Sequence, residues 1–279
     1  MSQQKYFNTI MEFVYEAGKI ALKYFENSHS TLKADQSVVT VADKKISELA
    51  RKKLVKFLSK KDHILIDEED PKVAGYLDKR ILQKATYLWS IDPIDGTRNY
   101  ANQIPSFGIS VGLLKNLQPW MGVVYFPLLQ ELFYHDGHRA YFVKGAHTKH
   151  EKKKIIKPIH IEVNSKTYFL ATDTFFKNFD WDHQDCRVMI QSCAAIELCW
   201  PSVGRGCGSL IKSSLWDFAG SWPIIRAADL DLRSLRTGQK LSCVDLKHFN
   251  LALPWKLNDF YIISDQKNYS VIRKKIQAK

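Results

Sequence analysis

The sequence predicts a mixed α/β fold. Three observations carry it: a long amphipathic helix at the start, two buried apolar runs that each end in an acidic cluster, and a meander of antiparallel strand patterns after them. From Tyr6 to Phe25, the residues Phe7, Ile10, Met11, Val14, Ala17, Ile20, Ala21 and Tyr24 recur three and four apart, which puts them on one helical face. That face should cover a sheet. A second helix is expected from Lys44 to Leu58, with Ile46, Leu49, Ala50, Leu54 and Leu58 facing one way and basic residues the other. The segment Val38-Val39-Thr40-Val41 before it is too short to assign.

Ile64-Leu65-Ile66 and Tyr87-Leu88-Trp89-Ser90-Ile91 read as buried strands, delivering Asp67-Glu68-Glu69-Asp70 and Asp92-Pro93-Ile94-Asp95 at their C-terminal ends. Further strands are expected over Gly108 to Leu114, Trp120 to Phe126 and Glu131 to His135, with turns at Asn116, Pro127 and Asp136-Gly137. His147 to Pro158 is polar and basic, and it is the candidate boundary. Beyond it, Tyr168 to Ala171 reads as a strand, Asp185 to Ile190 as part of a helix, and Ala194 to Cys199 as a short helix. Trp216 to Ala228 is helical in period, but Pro223 implies a kink or a start near Ser221. Phe260 to Ile263 reads as a strand, Asp265 as an N-cap and Tyr269 to Ile276 as a terminal helix.

With 45% hydrophobic and 25% charged residues in 279, the composition is that of a globular chain and excludes disordered and fibrous classes. A chain of this size removes about three quarters of its surface from water, so its core needs no disulfides. The five cysteines form no C-x-x-C pair and, being odd in number, no complete disulfide set. A reducing, cytoplasmic setting follows. No secretory leader pattern and no apolar stretch of membrane-spanning length is present. The net charge of +12 favours anionic partners, but its lysines come in short scattered runs such as Lys152-Lys153-Lys154, without a nucleic-acid-binding signature. Nucleic acid is therefore the less favoured partner, behind a small phosphorylated compound.

The most informative string is Asp92-Pro93-Ile94-Asp95-Gly96-Thr97. Two aspartates three apart, stiffened by Pro93 and followed by the turn-forming Gly96, aim oxygen ligands into one pocket, which is what a hard divalent cation requires. A helix beginning after Gly96 would turn the amides of Gly96 and Thr97 toward a phosphate. Coincidence would produce D-P-[IL]-D-G-T at roughly one starting position in a million or rarer.

Here the chain resembles the inositol monophosphatase family, the magnesium-dependent, lithium-sensitive phosphomonoesterases that include fructose-1,6-bisphosphatases and 3′-phosphoadenosine 5′-phosphate phosphatases. Three other elements share the family's order: Thr40-Val41-Ala42-Asp43, Asp67-Glu68-Glu69 (with Asp where the family has Gly) and Trp216-Asp217-Phe218-Ala219-Gly220. The resemblance implies a layered αβαβα sandwich, paired as a homodimer and holding two or three magnesium ions. It divides the chain into residues 1–150, carrying most metal ligands, and 151–279, contributing Asp217 and substrate contacts. Carried over residue by residue, Glu68, Asp92 and the Ile94 carbonyl bind one metal, Asp92, Asp95 and Asp217 a second, and Glu68 helps with a third, with Glu69 close by. The catalytic set is Asp43, Thr97 and Glu68: Asp43 paired with Thr97 orients and deprotonates the attacking water, and no covalent nucleophile is needed. Lys33 stands where the family places a loop lysine.

The departures lie on the substrate side. Leu210 occupies the position where inositol-specific members carry an acidic residue, seven before Asp217, and Gly204-Arg205-Gly206-Cys207 and Ala227-Ala228-Asp229-Leu230 also differ from the family pattern. Arg205 and Lys212 become candidates for a second anionic group of the substrate, and Ala195 for the small segment beside its ring. The expected activity is hydrolysis of a small phosphorylated polyol, with inositol monophosphate the default. The alternatives are a bisphosphate phosphatase and a regulatory RNA- or protein-binding member with weak catalysis.

Overall fold

Helices α1 (Gln3–Phe25) and α2 (Val41–Leu58) lie over one face of a seven-stranded sheet. The structure is a computed structural model that describes residues 2–26, 30–32, 38–182 and 186–279; Lys33 and Asp185 fall outside them. A small antiparallel pair, β1 (Ser30–Leu32) and β2 (Val38–Thr40), precedes α2. That helix starts before Lys44 because Thr40 and Asp43 form a capping box, satisfying amides that a helix start otherwise leaves orphaned. Tyr6, Ile10, Phe13, Val14, Ala17 and Ala21 of α1 are buried with Ile46, Ala50 and Leu54 of α2 against the sheet, the face that the apolar spacing implies.

The sheet runs in strict sequence order: β3 (His63–Asp67), β4 (Tyr87–Asp95), β5 (Gly108–Lys115), β6 (Gln118–Phe126), β7 (Glu131–His135), β8 (Ala140–Lys144) and β9 (Lys152–Ile155). The first pair is parallel, joined through α3 (Lys79–Lys84); every later pair is antiparallel. Strand β9 lies inside the basic stretch from His147 to Pro158, so the sheet runs past residue 150 to Ile155.

After β4 comes the short α4 (Thr97–Ala101). The remaining elements are β10 (Tyr168–Ala171), α5 (Phe175–Asn178), β11 (Phe179–Trp181), β12 (Arg187–Met189), α6 (Ala194–Cys199), β13 (Gly208–Ile211), α7 (Leu215–Ala219), α8 (Trp222–Ala227), β14 (Asp231–Ser234), β15 (Tyr261–Ser264), α9 (Gln266–Lys275) and β16 (Ile276–Ala278). Five of these strands form a second sheet in the order β12-β10-β13-β15-β14, and β11 pairs with β16. The helix expected from Asp185 to Ile190 is instead β12, an edge strand whose backbone pairs in parallel with Tyr168 to Leu170. The helical period over Trp216 to Ala228 is two helices, with Pro223 in the first turn of α8, where a missing N–H costs nothing.

Helices α6, α7 and α8 fill the space between the sheets, while α5 and α9 cover the outer face of the second. The layers are therefore α, β, α, β and α. Contact between the first sheet and the central helices is unusually close. A Cβ on Gly112 of β5 would stand 2.5 Å from the Ala219 backbone, and one on Gly122 of β6 would stand 2.0 Å from the Gly220 carbonyl oxygen.

Candidate active site

Strand β4 ends in a bulge. Its Asp92 pairs with Ser110 of β5 and its Asp95 with Gly108, so three steps on one strand oppose two on the other. Pro93 has no N–H to give to a ladder and is accommodated where the pairing breaks. The bulge turns both aspartates inward, and Asp92 and Asp95 are 2% and 6% exposed. Gly96 follows at φ 84°, and a side chain there would meet the Ser106 carbonyl oxygen at 2.9 Å, so the position admits only glycine. The expected helix does begin beyond it, although α4 has only five residues, and the amides of Gly96 and Thr97 stand at its start.

The other carboxylates come from three further elements. Glu68 directly follows β3, its amide donating to the Ile91 carbonyl of β4 at 3.3 Å. Asp217 sits in the first turn of α7, accepting the Ser214 amide at 2.7 Å within a capping box. Asp43 stands in the equivalent place on α2, accepting the Thr40 amide at 2.8 Å as well as the Thr40 hydroxyl. Thr97 joins these groups: its hydroxyl lies 2.8 Å from the Ile94 carbonyl oxygen and 3.4 Å from Asp43 Oδ1. Asp95 is held from the other half of the molecule, accepting the amides of Ala194 and Ala195 at the start of α6. Ala195 thus reaches the site through its backbone.

Burial raises all four aspartate pKa values. For Asp92 the nearby charges of Glu68, Asp95, Asp217 and Asp43 push further in the same direction. Burial lifts Asp95 to about 7 against the two amide bonds that favour its charged form, and it lifts Asp43 to about 7 against its bonds to Thr40. Asp217 is raised by burial and then by the charges of Asp95 and Glu68, against the Ser214 amide bond that favours its charged form. The Oδ1 atom of Asp92 is buried without any hydrogen-bond partner. A buried, unpartnered carboxylate oxygen among other carboxylates is what a hard cation satisfies, so the donor set fits magnesium or calcium. As the side chains stand, no group of three or more among the described residues is already gathered tightly enough to hold an ion.

Beside these carboxylates opens a cavity of about 220 Å³, lined by Asp95, Asp173, Glu197, Lys212, Asp217 and Lys256, among others. Lys212 lines it. Arg205 does not: its guanidinium makes a two-pronged ion pair with Glu131 of β7, both contacts at 2.7 Å, and packs against the rings of Phe142 and Trp200. Arg98 is exposed. Leu210 is fully buried behind the second sheet, so this position reads no substrate.

Two residues to which the motifs assign no role brace the site. Asp67, where the family pattern has Gly, accepts the Glu69 amide at 3.1 Å and the hydroxyl of Ser47, and pairs with Arg51 at 3.3 Å. It thereby braces the Glu68-Glu69 turn from α2. Asn99 donates to the carbonyls of Ser106 and Gln191 at 2.7 and 2.8 Å, tying α4 to the segment before α6. A polar residue just after a motif was the only sequence signal for Asn99, and Lys256 had none.

The profile of the inositol monophosphatase family matches residues 2–247. Inositol monophosphatase 1 of Solanum lycopersicum is 28% identical over 233 residues, covering 81% of each chain. A fructose-1,6-bisphosphatase/inositol-1-monophosphatase of Aquifex aeolicus is 26% identical over 200 residues, covering 70% of this chain and 72% of its own. Among solved structures, an IMPase/NADP phosphatase complexed with Mg2+ and phosphate superposes with a TM-score of 0.74 at 15% identity, covering 99% of each chain. Fold and relatives together define a phosphatase of phosphate monoesters. The chain belongs to the inositol monophosphatase family.

Proposed function

We propose that this protein is a magnesium-dependent phosphomonoesterase acting on a small phosphorylated polyol, sugar or nucleotide, and that Glu68, Asp92, Asp95, Asp217 and the Ile94 carbonyl hold its metals. The observation that carries the reading is Asp92 Oδ1, buried and unpartnered between the other carboxylates. In this reading Glu68, Asp92 and the Ile94 carbonyl would hold one ion, Asp92, Asp95 and Asp217 would hold a second, and Glu68 would help with a third, with Glu69 close by. When bound, the ions neutralise phosphate charge and make a water more acidic.

The chain's own residues supply positioning and proton transfer. The Thr97 hydroxyl, placed between the Ile94 carbonyl and Asp43, relays a proton toward Asp43, which burial has already made a better base than an ordinary aspartate. The amides of Gly96 and Thr97 orient the phosphate. The substrate class rests on the cavity: at about 220 Å³ it takes a small ligand, below the roughly 300–1,000 Å³ of drug-sized pockets. Relatives named for inositol phosphate, fructose bisphosphate and NADP support that breadth. A homodimer in the cytoplasm completes the reading, on the family resemblance and the unpaired cysteines.

The test is phosphate release from a panel of phosphomonoesters with and without magnesium, with Asp92→Asn as the blank. Magnesium-dependent release that the variant loses is the expected result; folded wild-type protein that releases nothing rejects the reading.

A further inference from the structure

The first sheet carries its acidic cluster at one end and a cationic one at the other. Asp95 closes β4 beside Gly108 at the start of β5, and from there to β9 the strands alternate in direction. Gln118 at the start of β6, His135 at the end of β7 and Ile155 at the end of β9 therefore all lie at the end where β4 begins. The nine residues of β4 separate the two ends by about 26 Å, at roughly 3.3 Å per residue. A second cavity, of about 610 Å³, opens at this far end, with Gln118, His138, Arg139 and Arg226 in its wall. Pro119, Ile156 and Pro223 give it an apolar floor, and among the described residues no carboxylate lines it.

Two layers of the fold bring the cations together. His138 and Arg139 stand on a tight turn in which both their amides donate to Asp136 Oδ1 at 2.8 Å and the Asp136 amide donates to the Arg139 carbonyl at 3.1 Å. Gly137, at φ 97°, completes the turn by donating its amide to His135 Nδ1 at 3.1 Å. Arg226 comes from the last turn of α8. Neither arginine forms an ion pair among the described residues. His135 registers how closely these charges gather. Burial lowers its pKa, and His138 and Arg226 lower it further, against Asp136 and a hydrogen bond to the Trp120 backbone. The His135 ring, already bonded to Gly137, is wall rather than ligand, which leaves Arg139, Arg226 and His138 as the cationic donors. Like charges assembled on a rigid frame repel one another, and an anion seated between them removes that repulsion.

We propose that Arg139, Arg226 and His138 form a binding site for a small organic phosphate, distinct from the catalytic cavity. The two cavities share no lining residue, and the inference does not depend on the phosphatase reading. Guanidinium forks match the oxygens of a phosphate in pairs, which selects that group over a carboxylate-free neutral ligand. The volume lies within the roughly 300–1,000 Å³ of small-molecule sites, so there is room for more than the phosphate. The apolar floor and the Gln118 amide receive the organic part.

The probe is phenylphosphonate, whose phosphorus–carbon bond a phosphomonoesterase does not cleave, and the readout is the His138 ring resonance in proton NMR, assigned with His138→Gln. Wild type and Asp92→Asn should show the same saturable shift. Arg139→Met and Arg226→Met should each raise Kd by about tenfold, the range of one charge-assisted hydrogen bond, with helix content by circular dichroism and kcat/KM unchanged. Inorganic phosphate should move the same resonance with a Kd about threefold higher or more, because it leaves the apolar floor uncovered. Equal Kd values in wild type and both methionine variants, or a shift that Asp92→Asn abolishes, overturn the site. Equal binding of phosphate and phenylphosphonate overturns the organic ligand.

Discussion

The Asp95 carboxylate at the end of β4 accepts the backbone N–H of Ala194 at the start of α6, 3.1 Å away across the two halves of the molecule. With the Ala195 amide beside it, this one side chain caps a helix and faces the proposed metals. Its two roles separate on mutation. Asp95→Asn keeps an oxygen for one of the two amides, each of which bonds a different carboxylate oxygen, whereas Asp95→Ala orphans both buried donors, costing about 1–3 kcal/mol. In chelator, thermal denaturation should place the alanine variant at least about 3 °C below the asparagine variant, with both inactive.

Asp43→Asn should lower kcat by roughly 10²–10⁴-fold with little change in KM, because an amide still accepts the Thr40 bonds of the capping box but takes no proton. Unchanged helix content by circular dichroism, together with unaltered turnover, would remove Asp43 from the mechanism.

Magnesium should stabilise the protein most at alkaline pH. Asp43, Asp95, Asp92 and Asp217 have folded pKa values above the unfolded one, so the metal-free fold is penalised as pH rises from about 4 through about 7. The metal takes the place of those protons. At a hundred times its Kd, magnesium adds about 2.7 kcal/mol, or roughly 5–10 °C in melting temperature. Differential scanning fluorimetry at pH 8 and pH 5 should show the larger shift at pH 8; a larger shift at pH 5 would contradict the cluster.

Arg205→Ala should cost stability rather than substrate affinity. Glu131 would be left nearly buried without its partner, a loss of about 3 kcal/mol, while the cavity keeps all its lining side chains. The readouts are urea denaturation and KM. A raised KM at full stability would restore Arg205 to the substrate side.

His63 supplies an opposite pH effect far from the site. Its Nδ1 accepts the Trp89 indole N–H at 3.1 Å, so the neutral ring carries its proton on Nε2, 3.4 Å from the Tyr6 hydroxyl oxygen. Burial lowers its pKa, so the unfolded chain binds the proton more readily and stability falls as pH drops below about 6.5. His63→Gln keeps an acceptor for Trp89 and should flatten the part of the melting-temperature profile between pH 5.5 and 7.5 that is due to this group.

What the sequence revealed depended on how locally each feature is encoded. The apolar spacing of α1 and the glycine, proline and aspartates after β4 lie within a few residues, and they appear where the sequence implies. Strand β9 left no such trace: Lys152, Lys153 and Lys154 are all exposed, so only backbone bonds to β8 make it a strand. Arg205 was misread because its partner Glu131 lies 74 residues away, and Lys256 became visible only when its loop paired with Ser214. Asp67 is the intermediate case. It stood inside a recognisable element, but its brace from Ser47 and Arg51 depends on how α2 packs.

The glycine contacts between the first sheet and the central helices set a mechanical tolerance for the whole site. Asp217 is two residues from Ala219, whose backbone would stand 2.5 Å from any side chain at Gly112, so the helix bearing this carboxylate rests directly on the strand next to the one bearing Asp92. The gap between the two aspartates is thereby calibrated by main chain against main chain, the least compressible reference a protein has. Core side chains elsewhere can be exchanged without altering that gauge. A single methyl group at Gly112 would reset it, in a place that touches neither metal nor substrate.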